Sequence, residues 1–516
     1  MLMRVKPTVG RWRRTAMAIH GRHQSTTKPD SKLKERFVSV DRSGLKQPHL
    51  HALLKDNTHV QALGRHKKAT KENELTRFLH SLIAVRGPIT VAEFMRHALS
   101  HPVHGYYMKR DVFGTKGDFT TAPEISQMFG ELVGVWCIAT WQQMGSPSQI
   151  KLIEVGPGRG SLMEDFVRTA KQFPAFYKAL EVHMVEISPA LKELQQTKLQ
   201  ATAAADGGFR LPNNGPAIYW HDELTHVPEG PTLFIAQELF DALPVHQFEY
   251  TDKGWCERLI DIDDTRENED HFRFVLSPGP TPATRVYIGK EKIVTPDIQV
   301  SKPSTPNESK DPKDILDNLN ASAARITAHL EALEKEDSVD VVPVLSPGVQ
   351  VGDRIEISPV GIALVQEVAR RIDTHGGAAL VVDYGRDHPS EVSLRGIQHH
   401  QFVSVLREPG DVDLSIDVDF STLKRYATDE TRVRAYGPIG QGEFLKAMGI
   451  EHRMAALFQN ASEEMQETIY DAYERLVDPD QMGTIFKAMA LVSDKVVGDP
   501  VGFTPLIDEA SHGHHD

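Results

Sequence analysis

Leu152-Ile153-Glu154-Val155-Gly156-Pro157-Gly158-Arg159-Gly160-Ser161-Leu162 is the stretch on which the fold turns. An apolar run ends in an acid and three alternating glycines, and an amphipathic run with Leu162, Met163, Phe166, Val167 and Ala170 on one face follows at once. Glycines at 156, 158 and 160 let a ligand approach the backbone, because φ > 0 is open without a Cβ clash. Strand, glycine turn and helix together are the ligand-binding corner of a doubly wound α/β sheet.

Working outward, further apolar runs end in polar groups. Glu181–Val185 leads to Glu186, and Ala217–Trp220 leads to His221, Asp222 and Glu223. Thr232–Ala236 opens onto Gln237-Glu238-Leu239-Phe240-Asp241, and Ala378–Val382 ends in Asp383. Such runs mark a mainly parallel sheet, expected here with seven strands, whose site lies at their carboxyl ends.

The glycine loop narrows the ligand. A dinucleotide fingerprint needs G-x-G-x-x-G/A with N–H groups turned to a pyrophosphate. Here Ser161 stands where the last small residue belongs, and Pro157 has no N–H to give. The pattern suits a ligand without phosphates, such as S-adenosylmethionine, although an ordinary tight turn is the plainer alternative. Glu154, Gly156, Gly158 and Gly160 are the expected cradle. Glu186 is placed to accept ribose hydroxyls, and Asp222 or Glu223 to reach an adenine amine.

Gly117-Asp118-Phe119-Thr120-Thr121-Ala122-Pro123-Glu124-Ile125-Ser126-Gln127-Met128-Phe129-Gly130-Glu131 is long and distinctive. With the glycine loop and Gln237–Val245 it closely resembles the MidA family, over about 75–276 and 348–491. Gln237 and Leu239 depart from the Asn or His and the Phe common in relatives. The resemblance implies a class I methyltransferase-like fold and S-adenosylmethionine as cofactor. It also implies a protein arginine methyltransferase of the mitochondrial matrix, which methylates a respiratory complex I subunit, with symmetric dimethylation, and is needed for complex I assembly.

Methylating arginine requires a site for a cation that stays protonated at any physiological pH. Paired carboxylates would fix its planar fork. Glu238 and Asp241 are the expected catalytic pair, on one side of a helical turn, with Asp241 as a helix cap and Glu238 bound to backbone as the plainer alternative; Asp383 is a third candidate. The segment with Thr120, Thr121, Glu124, Ser126 and Gln127 is expected to close over the cofactor or the acceptor. Two other readings stay open: an assembly chaperone that binds cofactor without essential turnover, and a small-molecule methyltransferase.

Residues 1–29 carry Arg4, Lys6, Arg11, Arg13, Arg14, Arg22 and Lys28 and no acid, the composition of a mitochondrial transit peptide. Removing these seven positive charges takes the formal net charge from −13 to −20, which argues against non-specific nucleic-acid binding. A mobile lead-in is expected over 30–70, and a methyltransferase domain with an N-terminal helical extension over 71–491. A flexible insertion is expected within it at 283–347, and a C-terminal tail over 492–516. No apolar run is long enough to span a membrane. Cys137 and Cys256 cannot alone frame a disulfide scaffold or a zinc site, and Cys137 reads as a buried thiol. His101 and His104 lack third and fourth ligands nearby, so no metal is expected.

Overall fold

The computed structural model describes residues 72–109, 120–204, 208–265, 270–288, 349–389 and 391–503. The expected transit peptide, the lead-in and residues 289–347 of the expected insertion lie outside these.

The chain opens with helices α1 (Glu74–Arg86) and α2 (Val91–Ser100), whose first turns are capped by the side chains of Asn73 and Thr90. Ser126 caps the long helix α3 (Gln127–Gln143). Strand β1 (Ile150–Val155) then runs through the glycine loop into α4 (Ser161–Ala170). After β2 (Leu180–Val185), Ser188 caps α5 (Pro189–Lys198), with Pro189 at the tolerated first position. Strands β3 (Ala217–His221) and β4 (Thr232–Gln237) follow. Next come β5 (His246–Thr251), β6 (Gly254–Ile262), β7 (Phe272–Leu276) and β8 (Arg354–Ile357). Helix α6 (Pro359–His375), β9 (Gly377–Arg386) and α7 (Phe420–Thr428) return to the main layer. The chain closes through β10 (Arg434–Gly440), α8 (Ile450–Phe458), α9 (Glu463–Val477) and β11 (Phe486–Val492).

The main sheet has the order β10-β11-β9-β4-β1-β2-β3. From β9 to β3 neighbours are parallel, while β11 is antiparallel to both β9 and β10. Seven strands were expected; the sheet counts ten, because the two-residue pieces Thr202–Ala203, Phe209–Arg210 and Val418–Asp419 pair along it. Pieces that short carry no alternation a sequence can reveal.

The central strands are buried on both faces, and their residues sort by the two-residue period. Leu152, Val182, Ile218, Leu233 and Leu380 face the core shared with α3, α4, α8 and α9. Ile153, Val185, Phe234, Ala236 and Val381 face the core shared with α6 and α7. Each fully buried Leu, Ile or Phe contributes about 1.5–3 kcal/mol by leaving water.

Helices α1 and α2 pack on a second, antiparallel sheet of five strands, ordered Ile89–Thr90, β6, β5, β8, with β7 along β6. The expected helical extension therefore rests on a layer that the chain builds between β4 and α6. Residues of the expected C-terminal tail also pack: Val496 is buried, and Gln143 donates to the carbonyls of Val497 and Asp499 at 3.2 and 2.8 Å.

Candidate functional site

The glycine loop leaves the carboxyl end of β1 with Gly156, Gly158 and Gly160 at φ of 65°, 53° and 77°. Three left-handed residues in alternation bring the chain from strand to helix in one turn, and a side chain at any of them would be strained. A Cβ on Gly156 would lie 2.8 Å from Leu239 Cδ1, so this loop and the turn after β4 are in direct contact.

A cleft of about 380 Å³, part of it open to solvent, lies between them. Its walls include Glu154, Gly156, Gly158, Glu124, Arg159 and Glu238. Glu154 is 3% exposed, and its Oε2 has no hydrogen-bond partner among the described residues. Burial, with the Glu186 charge behind it, pushes the Glu154 carboxyl up to about 8. Such a group fits a ligand cation or hydroxyl, which would satisfy the free oxygen.

Glu186 lies just past β2. Its Oε1 accepts from the Ser188 N–H at 2.8 Å and its Oε2 from Gln195 Nε2 at 3.3 Å, while burial raises it to about 7. Asp222 and Glu223 follow β3 at the same edge but are exposed; Lys192 pairs with Asp222, and Thr225 donates to Glu223 at 3.2 Å. Neither lines the cleft, so the adenine contact expected of them is not preformed. The residues present fit S-adenosylmethionine: acids for hydroxyls and a cationic amine, an open backbone, and, among the described residues lining the cleft, a single basic group, Arg159, that is bonded to Glu124 at 3.1 Å.

On the other wall, Glu238 departs from the expected helical turn. Its φ is 49°, an uncommon conformation for a residue with a side chain. Its Oε1 accepts from the Ala122 N–H at 3.1 Å and from Gln237, while Oε2 is shielded from solvent without a partner among the described residues. Burial, with Asp241 and Glu124 nearby, pushes this carboxyl up to about 8, against the pull of the Ala122 and Gln237 hydrogen bonds.

Asp241 is close to Glu238 but does not join it on the cleft wall. Asp241 is buried with Tyr384 and Arg395 rather than lining the cleft, and burial raises it to about 6. The left-handed turn at Glu238 breaks the helical geometry that the spacing of three had assumed. Asp383, only 1% exposed, explains that turn: its Oδ2 accepts from the N–H groups of Leu239, Phe240 and Asp241 at 3.1, 2.9 and 3.3 Å. Burial and the charges of Asp241 and Glu238 push Asp383 upward as well.

The segment before α3 folds over the cleft, as Thr121, Pro123 and Glu124 line it. Glu124 accepts from Ser161 Oγ at 2.8 Å, tying this segment to the start of α4. Ser126 and Gln127 serve the helix instead, Ser126 as cap and Gln127 by donating to Glu131 at 3.1 Å. Cys137 is buried, and burial raises its thiol. His101 and His104 stack with centroids 5.2 Å apart, and no cluster able to hold a metal occurs among the described residues. Gln195 was not legible as a site residue: a glutamine in a polar helix gives no signal until the strand ends are placed around it.

Comparison with known proteins gives the family and the fold. The family model for S-adenosyl-L-methionine-dependent methyltransferases matches residues 132–439. The chain is 36% identical over 428 residues to the zebrafish (Danio rerio) "Protein arginine methyltransferase NDUFAF7, mitochondrial", covering 81% of this chain and 87% of that one. It is also 36% identical to the Drosophila melanogaster homologue of the same name, over 82% of this chain and 86% of that one. A crystal structure of a Burkholderia thailandensis protein bound to S-adenosyl-homocysteine shares the fold, with TM-score 0.59 and 21% identity, covering 84% and 94% of the two chains. No described helix is long and apolar enough to cross a membrane.

Proposed function

The chain belongs to the MidA-like family of S-adenosyl-L-methionine-dependent methyltransferases, and on that premise we propose that it is a protein arginine methyltransferase of the mitochondrial matrix. Its acceptor in this reading is an arginine of a respiratory complex I subunit, dimethylated symmetrically in support of complex I assembly. The relatives it resembles are named as mitochondrial arginine methyltransferases. Residues 1–29 carry the basic, acid-free composition of an import signal.

When bound, S-adenosylmethionine supplies a methyl group already activated by its sulfonium. Glu154, Gly156, Gly158, Gly160 and Glu186 would hold it, and Asp222 and Glu223 would reach it from the exposed rim. The protein's task is then to align the acceptor nitrogen and exclude water. Glu238 orients the acceptor guanidinium, and a carboxyl raised to about 8 also suits the proton that the guanidinium sheds on methylation. Asp241 supports it from the buried side.

The observation that carries this reading is the shielded Oε2 of Glu238, a cleft-lining residue, without a hydrogen-bond partner among the described residues. Incubation with labelled methyl donor and a mitochondrial extract should place label on arginine of a complex I subunit. Label confined to a small molecule, or to lysine, would overturn it.

A further inference from the structure

We propose that Gln195 is the positioning residue that locks the two halves of the cofactor site, the glycine loop and the ribose-binding acid, into one geometry; this rests on the assignment of Gly158 and Glu186 to the cofactor.

Gln195 is 0% exposed, on the face of α5 turned to the strand ends. Its single amide meets three separate stretches of chain. Nε2 donates to the Gly158 carbonyl at 2.7 Å and to Glu186 Oε2 at 3.3 Å, and Oε1 accepts from Trp220 Nε1 at 2.7 Å. An amide nitrogen has two protons, and here each has its acceptor. The partners also settle which way the amide points. Reversed, its oxygen would face a carbonyl and a carboxylate, and its NH₂ would face an indole N–H, with every contact repulsive.

The same side chain bears on the glycine at 160. A Cβ on Gly160 would lie 3.2 Å from Gln195 Cγ and 3.6 Å from its Cα. Helix α5 therefore packs directly on the loop, and the glutamine reaches under it. Loop and acid follow the neighbouring strands β1 and β2, whose pairing ends at the Gly156 N–H bond to the Val185 carbonyl; beyond that point Gln195 links Gly158 to Glu186. Gln195 makes their separation a property of one rigid amide, with Trp220 on β3 as the anchor. Ser188 fixes the other oxygen of Glu186, so the carboxylate is oriented from both sides before any ligand arrives.

The test is titration calorimetry of the full chain with S-adenosyl-homocysteine, alongside thermal unfolding of the unliganded protein. Gln195→Met keeps the volume and removes the amide; donor affinity should fall about tenfold to a hundredfold, as expected for losing hydrogen bonds to a charged and a neutral acceptor. Gln195→Glu keeps the Trp220 acceptor but sets a carboxylate against Glu186 and the Gly158 carbonyl, and should lose at least as much. Should the Met variant fail to fold, the Glu variant decides.

A double cycle with Glu186→Gln separates positioning from mere packing. If Gln195 acts through Glu186, the double variant binds about as well as the weaker single one. Fully additive losses, or unchanged affinity in folded Gln195 variants while Glu186→Gln binds poorly, would overturn the inference. Unchanged affinity in Glu186→Gln itself would instead reject the site assignment beneath it.

Discussion

The two walls of the cleft hold their residues by different means. On the cofactor wall, unusual backbone is carried by glycine: Gly156, Gly158 and Gly160 all sit at positive φ without a side chain to object. On the acceptor wall, Glu238 adopts a φ of 49° with a full side chain, and Asp383 holds it there by accepting three successive N–H groups from the following residues. One wall is cheap to form and open to its ligand. The other stores strain of the order of 1 kcal/mol or more at a functional group and depends on a residue 145 positions away in the chain. The cofactor wall should therefore break by obstruction, and the acceptor wall by loss of support.

The largest effect is expected on the cofactor wall. Gly158→Val puts a β-branched side chain at φ 53°, where the ligand must approach the backbone. Donor binding should drop by at least about a hundredfold, and activity with it. Calorimetry that finds normal affinity would mean that this loop is not the cofactor cradle. Glu238→Gln should split the walls: donor affinity is kept, while methyl transfer falls about a hundredfold, roughly 3 kcal/mol. Equal loss of both in a folded protein would erase the distinction.

Asp383→Ala should show what the support is worth. Three N–H groups lose their buried acceptor, so the protein should lose about 1–3 kcal/mol of stability. Transfer should slow about tenfold, with donor affinity nearly unchanged, because the turn no longer aims Glu238. A lower Tm with normal kcat would leave Asp383 a structural residue only.

Acidity sharpens the same comparison. Glu238 is raised from 4.5 to about 8, so the native chain holds a proton that the unfolded chain has lost between those values. That contribution to stability is full below pH 4.5 and is lost as pH rises through about 8. The fall in Tm across that window should be shallower in Glu238→Gln than in the parent. In the assay, transfer should rise toward pH 8 in the parent, as the carboxylate forms, and less steeply in the variant, where Glu154 and Glu186 still titrate.

The smallest effect is expected at the rim. Asp222→Asn and Glu223→Gln alter exposed groups outside the cleft, and donor affinity should change by less than about threefold. A tenfold loss would show that the adenosine end closes on them when it binds.

Some of the molecule could be read directly from residue order. The strand, glycine turn and helix at 150–170, the acid at Glu186 and the continuous apolar run through Leu152 and Ile153 follow from local rules, because each depends on neighbours a few residues away. The antiparallel second sheet was less legible. Its strands are only partly buried, and the two-residue Ile89–Thr90 pairs with a strand some 170 residues later. Glu238 and Asp241 were legible as acids at a strand end, but their directions were not. A spacing of three places two side chains together only if the backbone between them is helical, and here it is not.

The sequence by itself determined where backbone had to be free of side chains, where acids end strands, and which family the chain resembles. Tertiary structure alone decided that Asp383 would brace the Glu238 turn, that Asp241 would face Tyr384 and Arg395, and that Gln195 would tie Gly158 to Glu186. The reason is physical. Glycine and hydrophobic patterns act through the local conformations they permit, so they are visible in one dimension. A hydrogen bond between distant segments is set by where the packed strands and helices put its donor and acceptor, and no local preference carries that information.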